Sequence, residues 1–166
     1  MFALKPISRD SIQSALARAE RYRLLNDPSE AESICRDILE VDPANRHARV
    51  SLILSLTDEI PNDTGAFTRA IEAIPALESS YDRAYYCGIA WERRAKAAYR
   101  AGGPGSSNYI YDWLVKALRQ FEEAERLRPS GNDEALLRWN ACVRFLASHK
   151  DLGPKTEDEP EPILSE

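Results

Sequence analysis

Apolar residues recur every three to four positions along most of the chain, and polar residues fill the positions between them. This spacing places the apolar residues on one face of an α-helix. Turn-forming segments such as Asn26-Asp27-Pro28 and Asp42-Pro43 interrupt the pattern, so the sequence predicts an all-α fold of separate helices. The predicted helices cover residues 12–22, 28–41, 46–58, 66–75, 81–100, 108–128 and 133–148, with Ser8, Asp10 or Ser11 as the cap of the first.

Three residues of the sixth predicted helix, Ala117, Phe121 and Ala124, are spaced so that they share one face. Small residues on both sides of an aromatic ring are typical of a helix that packs closely against a neighbour. Gly88 in the fifth predicted helix supports the same interpretation, because a glycine inside a helix costs about 1 kcal/mol relative to alanine. We therefore expect another helix to approach closely at Gly88.

The order of Ala117, Phe121 and the closing Pro129 resembles the second helix of a tetratricopeptide repeat. The first two predicted helices carry the spacing of a whole repeat, whereas the third and fourth keep only its length and its alanines. The third unit is elongated, since Gly88 and Ala117 lie more than twice as far apart as the matching positions of the first unit. The matching residues of the first unit are Ala15, Ala19, Tyr22, Ala31, Cys35, Ile38 and Pro43.

This resemblance implies a right-handed α–α superhelix of about three helix pairs over residues 1–150, with an elongated third pair and a closing C-terminal helix. It also implies a non-enzymatic module that binds a peptide or helix of a partner protein in a concave groove. Tyr85 and Arg93 are expected to contribute most, because aromatic and arginine side chains dominate binding energy at interfaces. The residues that the resemblance assigns to the groove are Gln13, Leu16, Glu20, Arg23, His47, Ser51, Leu54, Asp82, Tyr85, Ile89, Glu92, Arg93, Lys96, Asn140 and Arg144.

Two other functions remain open. The last predicted helix would turn Leu137, Ala141 and Phe145 outward, which suits a self-associating scaffold or a homodimer. A small dedicated chaperone, similar to the three-repeat chaperones of secretion systems, has a comparable length. One subfamily of these repeats grips the C-terminal carboxylate of chaperones with lysine and asparagine side chains. That ligand is not expected here, because Leu16 and Glu20 stand at such positions.

Charge is distributed unevenly along the chain. The formal net charge is −5, and the excess acids follow Lys150, so the body of the chain is neutral. A neutral body lacks the basic surface of a nucleic-acid-binding protein, and we expect no nucleic-acid partner. Residues 151–166 combine acids with prolines and predict a disordered, solvated tail. Within this tail, Ile163-Leu164 is a candidate docking motif for a partner or for the chain's own groove.

The first ten residues lack the apolar core of a signal peptide. Nor does any run approach the roughly 18 apolar residues of a membrane span. We therefore expect a cytoplasmic protein without a membrane partner.

Residue types that carry catalysis are few and scattered. His47 and His149 have no histidine or cysteine partner at helical spacing, and the chain has no G-x-x-x-x-G-K-S/T phosphate-binding loop. Cys35, Cys87 and Cys142 each fall on an apolar helical face and are expected to be reduced core thiols. The sequence accordingly predicts no enzyme activity, no cofactor and no metal site.

Aromatic residues are concentrated around a glycine-rich loop in the elongated third unit. Tyr99 precedes this loop, and Tyr109, Tyr111 and Trp113 follow it. We expect them to form a small aromatic core that holds the two long helices together, or alternatively an exposed binding knob.

Overall fold

The computed structural model describes residues 2–103 and 105–154, and the regular secondary structure in these ranges is entirely helical. The predicted all-α fold is confirmed. None of the described helices has both the length and the apolar composition that a membrane crossing requires. The α-helices are α1 (Ile12–Leu24), α2 (Pro28–Val41), α3 (Arg46–Glu59), α4 (Ala66–Ala73), α5 (Ser80–Ala101), α6 (Ser107–Leu127) and α7 (Glu134–Ser148), and short 3₁₀ helices occupy Arg9–Ser11 and Ile74–Ala76.

Local sequence signals account for several helix ends. Asn45 caps α3, since its Oδ1 accepts a hydrogen bond from the Ala48 amide at 3.0 Å. Ser79 caps α5 in the same way, because its Oγ accepts from the Asp82 amide at 3.2 Å. Gly102 ends α5 with a φ of 69°, in the left-handed region that favours glycine. The long helices α5 and α6 begin and end close to their predicted limits.

The helices pack chiefly against their nearest and next-nearest neighbours in the chain. The odd-numbered helices lie side by side, because α3 packs against α1 and α5, and side chains of α5 and α7 are in contact. Each even-numbered helix packs against the odd-numbered helices that precede and follow it. The fold is therefore a row of odd-numbered helices in which every neighbouring pair shares an even-numbered helix.

Buried apolar residues form successive clusters along this row. The first cluster lies between α1 and α2, the second joins α3 to the segment after α4, and the third unites α5, α6 and α7. The third cluster is the largest, so the C-terminal half of the described chain holds most of the core. The buried members are Ala19, Ala31 and Cys35 in the first, Ile53, Ile74 and Leu77 in the second, and Tyr81, Ala84, Tyr85, Ile89, Ala95, Ile110, Leu114, Ala117, Phe121, Ala124, Ala135, Cys142 and Leu152 in the third.

Gly88 lies where α5 and α6 approach closely. A Cβ atom at this position would be 2.5 Å from Cε1 of Phe121, well inside the ordinary carbon–carbon contact distance of about 3.5–4.0 Å. Ala117, Phe121 and Ala124 are all buried, as their predicted shared face requires. The expectation of a close helix approach at Gly88 is therefore confirmed, with Phe121 as the contact.

The third cluster extends beyond the predicted domain boundary at residue 150. Leu152 is only 7% exposed and belongs to this cluster, although the sequence predicted a solvated tail from residue 151. Its amide donates a hydrogen bond to the His149 carbonyl at 3.0 Å, so a turn after α7 returns the side chain to the core. The rest of the predicted tail, residues 155–166 with Ile163-Leu164, lies outside the described residues.

The aromatic residues near the glycine-rich loop pack in two groups beside the third cluster. Tyr99 packs against Phe145 and His149, with ring centroids 5.5 and 4.5 Å apart. Trp113 packs against Tyr109 at 4.9 Å, and Tyr109 is partly exposed. The expected aromatic core is confirmed for Tyr99 and Trp113, because both pack against the third cluster, whereas Tyr109 lies at its exposed edge. Phe145, which was expected to face outward, is held by Tyr99.

Candidate functional site

Asp58 on α3 holds one arginine from each neighbouring odd-numbered helix. Its Oδ2 accepts a hydrogen bond from Nε of Arg23 on α1 at 2.8 Å, and its Oδ1 accepts one from Nη1 of Arg93 on α5. Arg93 also donates to Oγ1 of Thr57 at 2.5 Å and to the carbonyl oxygen of Leu54 at 3.2 Å. Burial lowers the pKa of Arg93 and the Asp58 charge opposes this shift, but an arginine stays charged. A single carboxylate thus links three helices.

Glu92 on α5 forms a second link, which reaches α7. It is only 1% exposed, and its Oε1 accepts a hydrogen bond from Nζ of Lys96 at 2.5 Å. Nη1 of Arg138 on α7 lies 3.6 Å from Oε2, an ion pair that is too long for a hydrogen bond. Oε2 is buried, and no donor among the described residues is within hydrogen-bond distance of it.

These contacts form a row of charges, which we call the charged strip, across the four odd-numbered helices. Each carboxylate in the strip lies between two cations, so it can neutralise only one of them. The charged strip therefore carries more positive than negative charge. Its members are Arg23, Asp58, Glu92, Arg93, Lys96 and Arg138.

Two adjoining depressions lie along the charged strip, and we call them together the hollow. One has a volume of about 570 Å³ and reaches α1, and the other has a volume of about 280 Å³ and reaches α7. They are neighbours because Asp58, Pro61 and Arg100 line both. The first is also lined by Glu20, Arg23, Leu24 and Asn26, and the second by Thr57, Glu92, Arg93, Lys96, Ala97 and Arg138.

Several residues that the resemblance assigned to the groove line the hollow. The lining residues that the sequence pattern did not assign to the groove are Leu24, Asn26, Thr57, Asp58, Pro61, Ala97, Arg100 and Arg138. The partners of Asp58 and Arg138 are distant in sequence, so no local spacing could identify these two residues. The sequence did indicate Leu24, since it is an apolar residue outside the apolar stripe of α1 and next to Arg23. Its side chain is 87% exposed. The predicted groove residues that line the hollow are Glu20, Arg23, Glu92, Arg93 and Lys96.

Other predicted groove residues are buried, so a partner cannot contact them in this conformation. The Tyr85 ring stacks on Tyr81 with centroids 5.7 Å apart and lies 6.1 Å from the Phe121 ring. Asp82 accepts hydrogen bonds from Nε and Nη2 of Arg46 on α3 at 2.7 and 2.9 Å. Tyr85 therefore fills the core instead of providing the expected exposed contact, and Asp82 ties α5 to α3. The buried residues of the predicted groove outside the hollow are Ser51, Asp82, Tyr85 and Ile89.

The remaining predicted groove residues do not line the hollow. Leu54 is half-buried and packs against the third cluster, and Leu16 is half-buried on α1. Their role in binding stays a prediction, as does that of the exposed members of the set. Those exposed members are Gln13, His47, Asn140 and Arg144.

The cysteines are free thiols in apolar surroundings. Cys35 and Cys142 are fully buried and Cys87 is half-buried, which confirms that they are core residues. Burial raises the pKa of Cys35 to about 11 and that of Cys142 to about 12, so both thiols are protonated at neutral pH. Within the ranges that the structure describes, no three histidine, cysteine or acidic side chains are arranged to hold a metal ion.

Arg94 on α5 lies between aromatic rings of α4 and α6. Its guanidinium carbon is 4.2 Å from the centroid of the Phe67 ring and 4.1 Å from that of Trp113, with Trp91 at 5.5 Å. These distances are typical of cation–π interactions. Arg94 and the rings of Phe67, Trp91 and Trp113 therefore hold three helices together. Arg94 already fills the space between the rings, so no ligand cation can bind there.

Arg69 on α4 is surrounded by three carboxylates. Its Nη2 lies 2.9 Å from Asp63, 3.1 Å from Glu59 and 3.8 Å from Glu32. Burial and the negative charges of Glu32 and Asp63 raise the pKa of Glu59 above its ordinary value of 4.5, and Arg69 opposes the shift. This acidic cluster has the opposite charge balance to the charged strip.

The chain matches no protein-family model, and no curated protein or solved structure matches it significantly. The resemblance to tetratricopeptide repeats therefore rests on the residue pattern. The hollow and the charged strip are the features from which a function can be argued.

Proposed function

We propose that this chain is a tetratricopeptide-like interaction module that binds a peptide or helix of a partner protein in the hollow. The observation that carries the proposal is that residues of α1, α3 and α5 line two adjoining depressions, with Arg138 of α7 in the lining of the second. A partner segment lying there would contact several helices at once. Such a multi-helix surface is what stacked helical repeats use for binding.

The row of odd-numbered helices supports a superhelical arrangement in which these helices form the inner face. In this proposal α1–α2, α3–α4 and α5–α6 are the helix pairs, and α7 closes the stack. In this proposal the module acts by binding and not by catalysis, because the charged side chains of the strip pair with one another instead of activating a nucleophile. Arg23 and Arg93 hold Asp58, and Lys96 holds Glu92.

Affinity capture from the cells that make the protein, with two matched surface variants, tests this proposal. Leu24→Glu places a charge in the hollow, and Leu137→Glu places one on α7 outside the hollow. Leu24 and Leu137 are 87% and 65% exposed, so neither change should unfold the chain. We expect a partner that is captured by the native protein and by Leu137→Glu and is lost with Leu24→Glu. If both variants retain the partner equally, the hollow is excluded as the binding surface.

Self-association through α7 is the second candidate. Leu137 and Val143 on α7 are 65% and 43% exposed, which leaves an apolar surface at this end of the row. Sedimentation at several protein concentrations separates the two functions. A dimer that Leu137→Glu dissociates would favour the scaffold, whereas a monomer at all concentrations would exclude it.

A further inference from the structure

The hollow holds more cations than its own carboxylates can neutralise. Asp58 lies between Arg23 and Arg93, and Glu92 lies between Lys96 and Arg138. Glu20 is the remaining carboxylate of the lining, and Arg100 adds a further cation. The five cations of the lining are Arg23, Arg93, Lys96, Arg100 and Arg138, and the three carboxylates are Glu20, Asp58 and Glu92.

Arg100 is the cation that is most available to a ligand. It is exposed, it lines both parts of the hollow, and it forms no ion pair with another described residue. The side chains of Arg93 and Lys96 are only 26% and 24% exposed, so water screens the net positive charge of the lining incompletely. A carboxylate placed at Arg100 would therefore meet an unneutralised positive field.

Glu92 is the buried carboxylate of this lining. Its buried Oε2 has no donor at hydrogen-bond distance among the described side chains and amides, and Glu92 lines the same depression as Arg100. A buried carboxylate oxygen without a donor is unfavourable. A ligand in the hollow cannot reach this buried oxygen in this conformation, so the excess cations of the lining, and not Glu92, would bind it. Because these cations are spread from α1 to α7, a peptide with several carboxylates fits them better than a single inorganic anion.

We propose that the partner segment bound in the hollow is an acidic peptide, whose aspartate and glutamate side chains pair with Arg100 and with the cations of the charged strip. This inference rests on the proposed function and gives the chemical class of its ligand. Charge-assisted pairs between arginine and carboxylates are short and strong, and guanidinium groups suit bidentate pairing. The exposed Leu24 at the α1 end of the hollow favours an apolar residue beside the acids.

The test measures binding of a defined acidic probe to the full chain by fluorescence anisotropy. The probe is a labelled peptide Glu-Asp-Glu-Pro-Glu-Pro-Ile-Leu, which repeats residues 157–164, and its control replaces each acid by the matching amide. Arg100→Glu reverses the charge of the available cation. Arg119→Glu makes the same change at an exposed position of α6, away from the hollow. We expect Arg100→Glu to weaken probe binding at least about tenfold, Arg119→Glu to change it less than about twofold, and added salt to weaken it.

Three outcomes would overturn the acidic-peptide proposal. They are equal weakening by Arg100→Glu and Arg119→Glu, equal binding of the acidic probe and its amide control, and no binding of either peptide. None of them decides the proposed function, which the capture comparison of Leu24→Glu with Leu137→Glu tests separately.

A further variant of the full chain identifies a competing occupant, the chain's own acidic segment. This variant replaces Glu157, Asp158, Glu159 and Glu161 by their amides. If both the native chain and this variant bind the probe, the acidic-partner proposal is supported. If only the variant binds it, the segment at 157–164 occupies the hollow of the isolated protein, and assignment to a partner is overturned.

Discussion

Gly88 is the residue at which the packing of α5 against α6 is most sensitive to side-chain volume. Gly88→Leu would force atoms into the space of the Phe121 ring, since even a Cβ would lie 2.5 Å from Cε1. We expect the free energy of unfolding to fall by about 1–3 kcal/mol, the usual effect of overpacking a core. Urea unfolding followed by circular dichroism measures this change.

Ala147→Leu is the matched control, because Ala147 is an exposed helical residue of α7. We expect it to change stability by less than about 0.5 kcal/mol. Equal stability of the native protein and Gly88→Leu would show that α6 does not pack against this position.

Glu59 makes stability depend on pH through the acidic cluster at Arg69. Its pKa is raised in the folded state, so stability falls as the pH rises above the ordinary pKa, and the loss is complete once the pH exceeds the raised value. Below its ordinary pKa of 4.5 the carboxyl is protonated in both the folded and unfolded states, and the effect disappears. We expect Glu59→Gln to be more stable than the native protein at pH 7, with a difference that shrinks as the pH falls toward 4.5.

Urea midpoints across this pH range measure the difference between the two proteins. Glu72→Gln on the exposed face of α4 is the control for loss of one negative charge. If Glu59→Gln lowers stability at pH 7, the hydrogen bond from Arg69 outweighs the effect of burial.

At the level of the helices, Arg94 fixes α5 between α4 and α6. Arg94→Gln would keep a polar side chain of moderate length but remove the cation between the Phe67 and Trp113 rings. We expect a loss of about 1–2 kcal/mol in the free energy of unfolding, the range for partly desolvated cation–π contacts. Thermal unfolding of Arg94→Gln and of Arg119→Gln, an exposed arginine of α6, measures this. Similar losses in both would exclude a specific role of the aromatic rings.

The helices could be predicted from the sequence because their signals are local. Asn45, Ser79 and Pro28 mark helix starts within their own segments, and the three-to-four spacing defines each buried face. The close approach at Gly88 was also predictable, since a glycine inside a helix is unfavourable and close packing against another helix explains its presence. The path of the chain after α7 was not, because Leu152 is a single apolar residue in a polar stretch and only tertiary contacts decide its burial.

The site was predictable only in part, because each residue of the charged strip has a choice of partners. Arg23, Glu92 and Arg93 were placed on the inner faces of their helices by the repeat pattern. The periodicity of one helix shows on which face a side chain lies. It does not show how far two neighbouring helices are shifted along their axes. That shift decides whether Asp58 meets Arg93, and whether Tyr85 points into a groove or into the core.

For the whole molecule, Asp58 is the residue that joins three odd-numbered helices. Asp58→Asn would leave Arg23 and Arg93 without their shared carboxylate, so both α1 and α5 lose a link to α3. We expect a loss of about 2 kcal/mol, less than for a fully buried pair, because Asp58 is 25% exposed. Arg23→Gln should lower the free energy of unfolding by under about 1 kcal/mol, since Asp58 remains paired with Arg93.

Urea unfolding of the two single variants and of the double variant gives the coupling energy between these residues. Equal losses for Asp58→Asn and Arg23→Gln would mean that the pair with Arg93 contributes nothing to stability.

The sequential packing of the helices has a consequence for how the fold opens. The first cluster consists of Ala19, Ala31 and Cys35, and α5–α7 are held by a much larger one. Because few contacts span the ends of the row, α1 and α2 can open while the distal helices stay closed. Amide hydrogens of α1 should therefore exchange with solvent through local opening, and those buried in α5 and α6 through global unfolding. A ligand seated across the hollow would join the two ends and slow exchange most in α1.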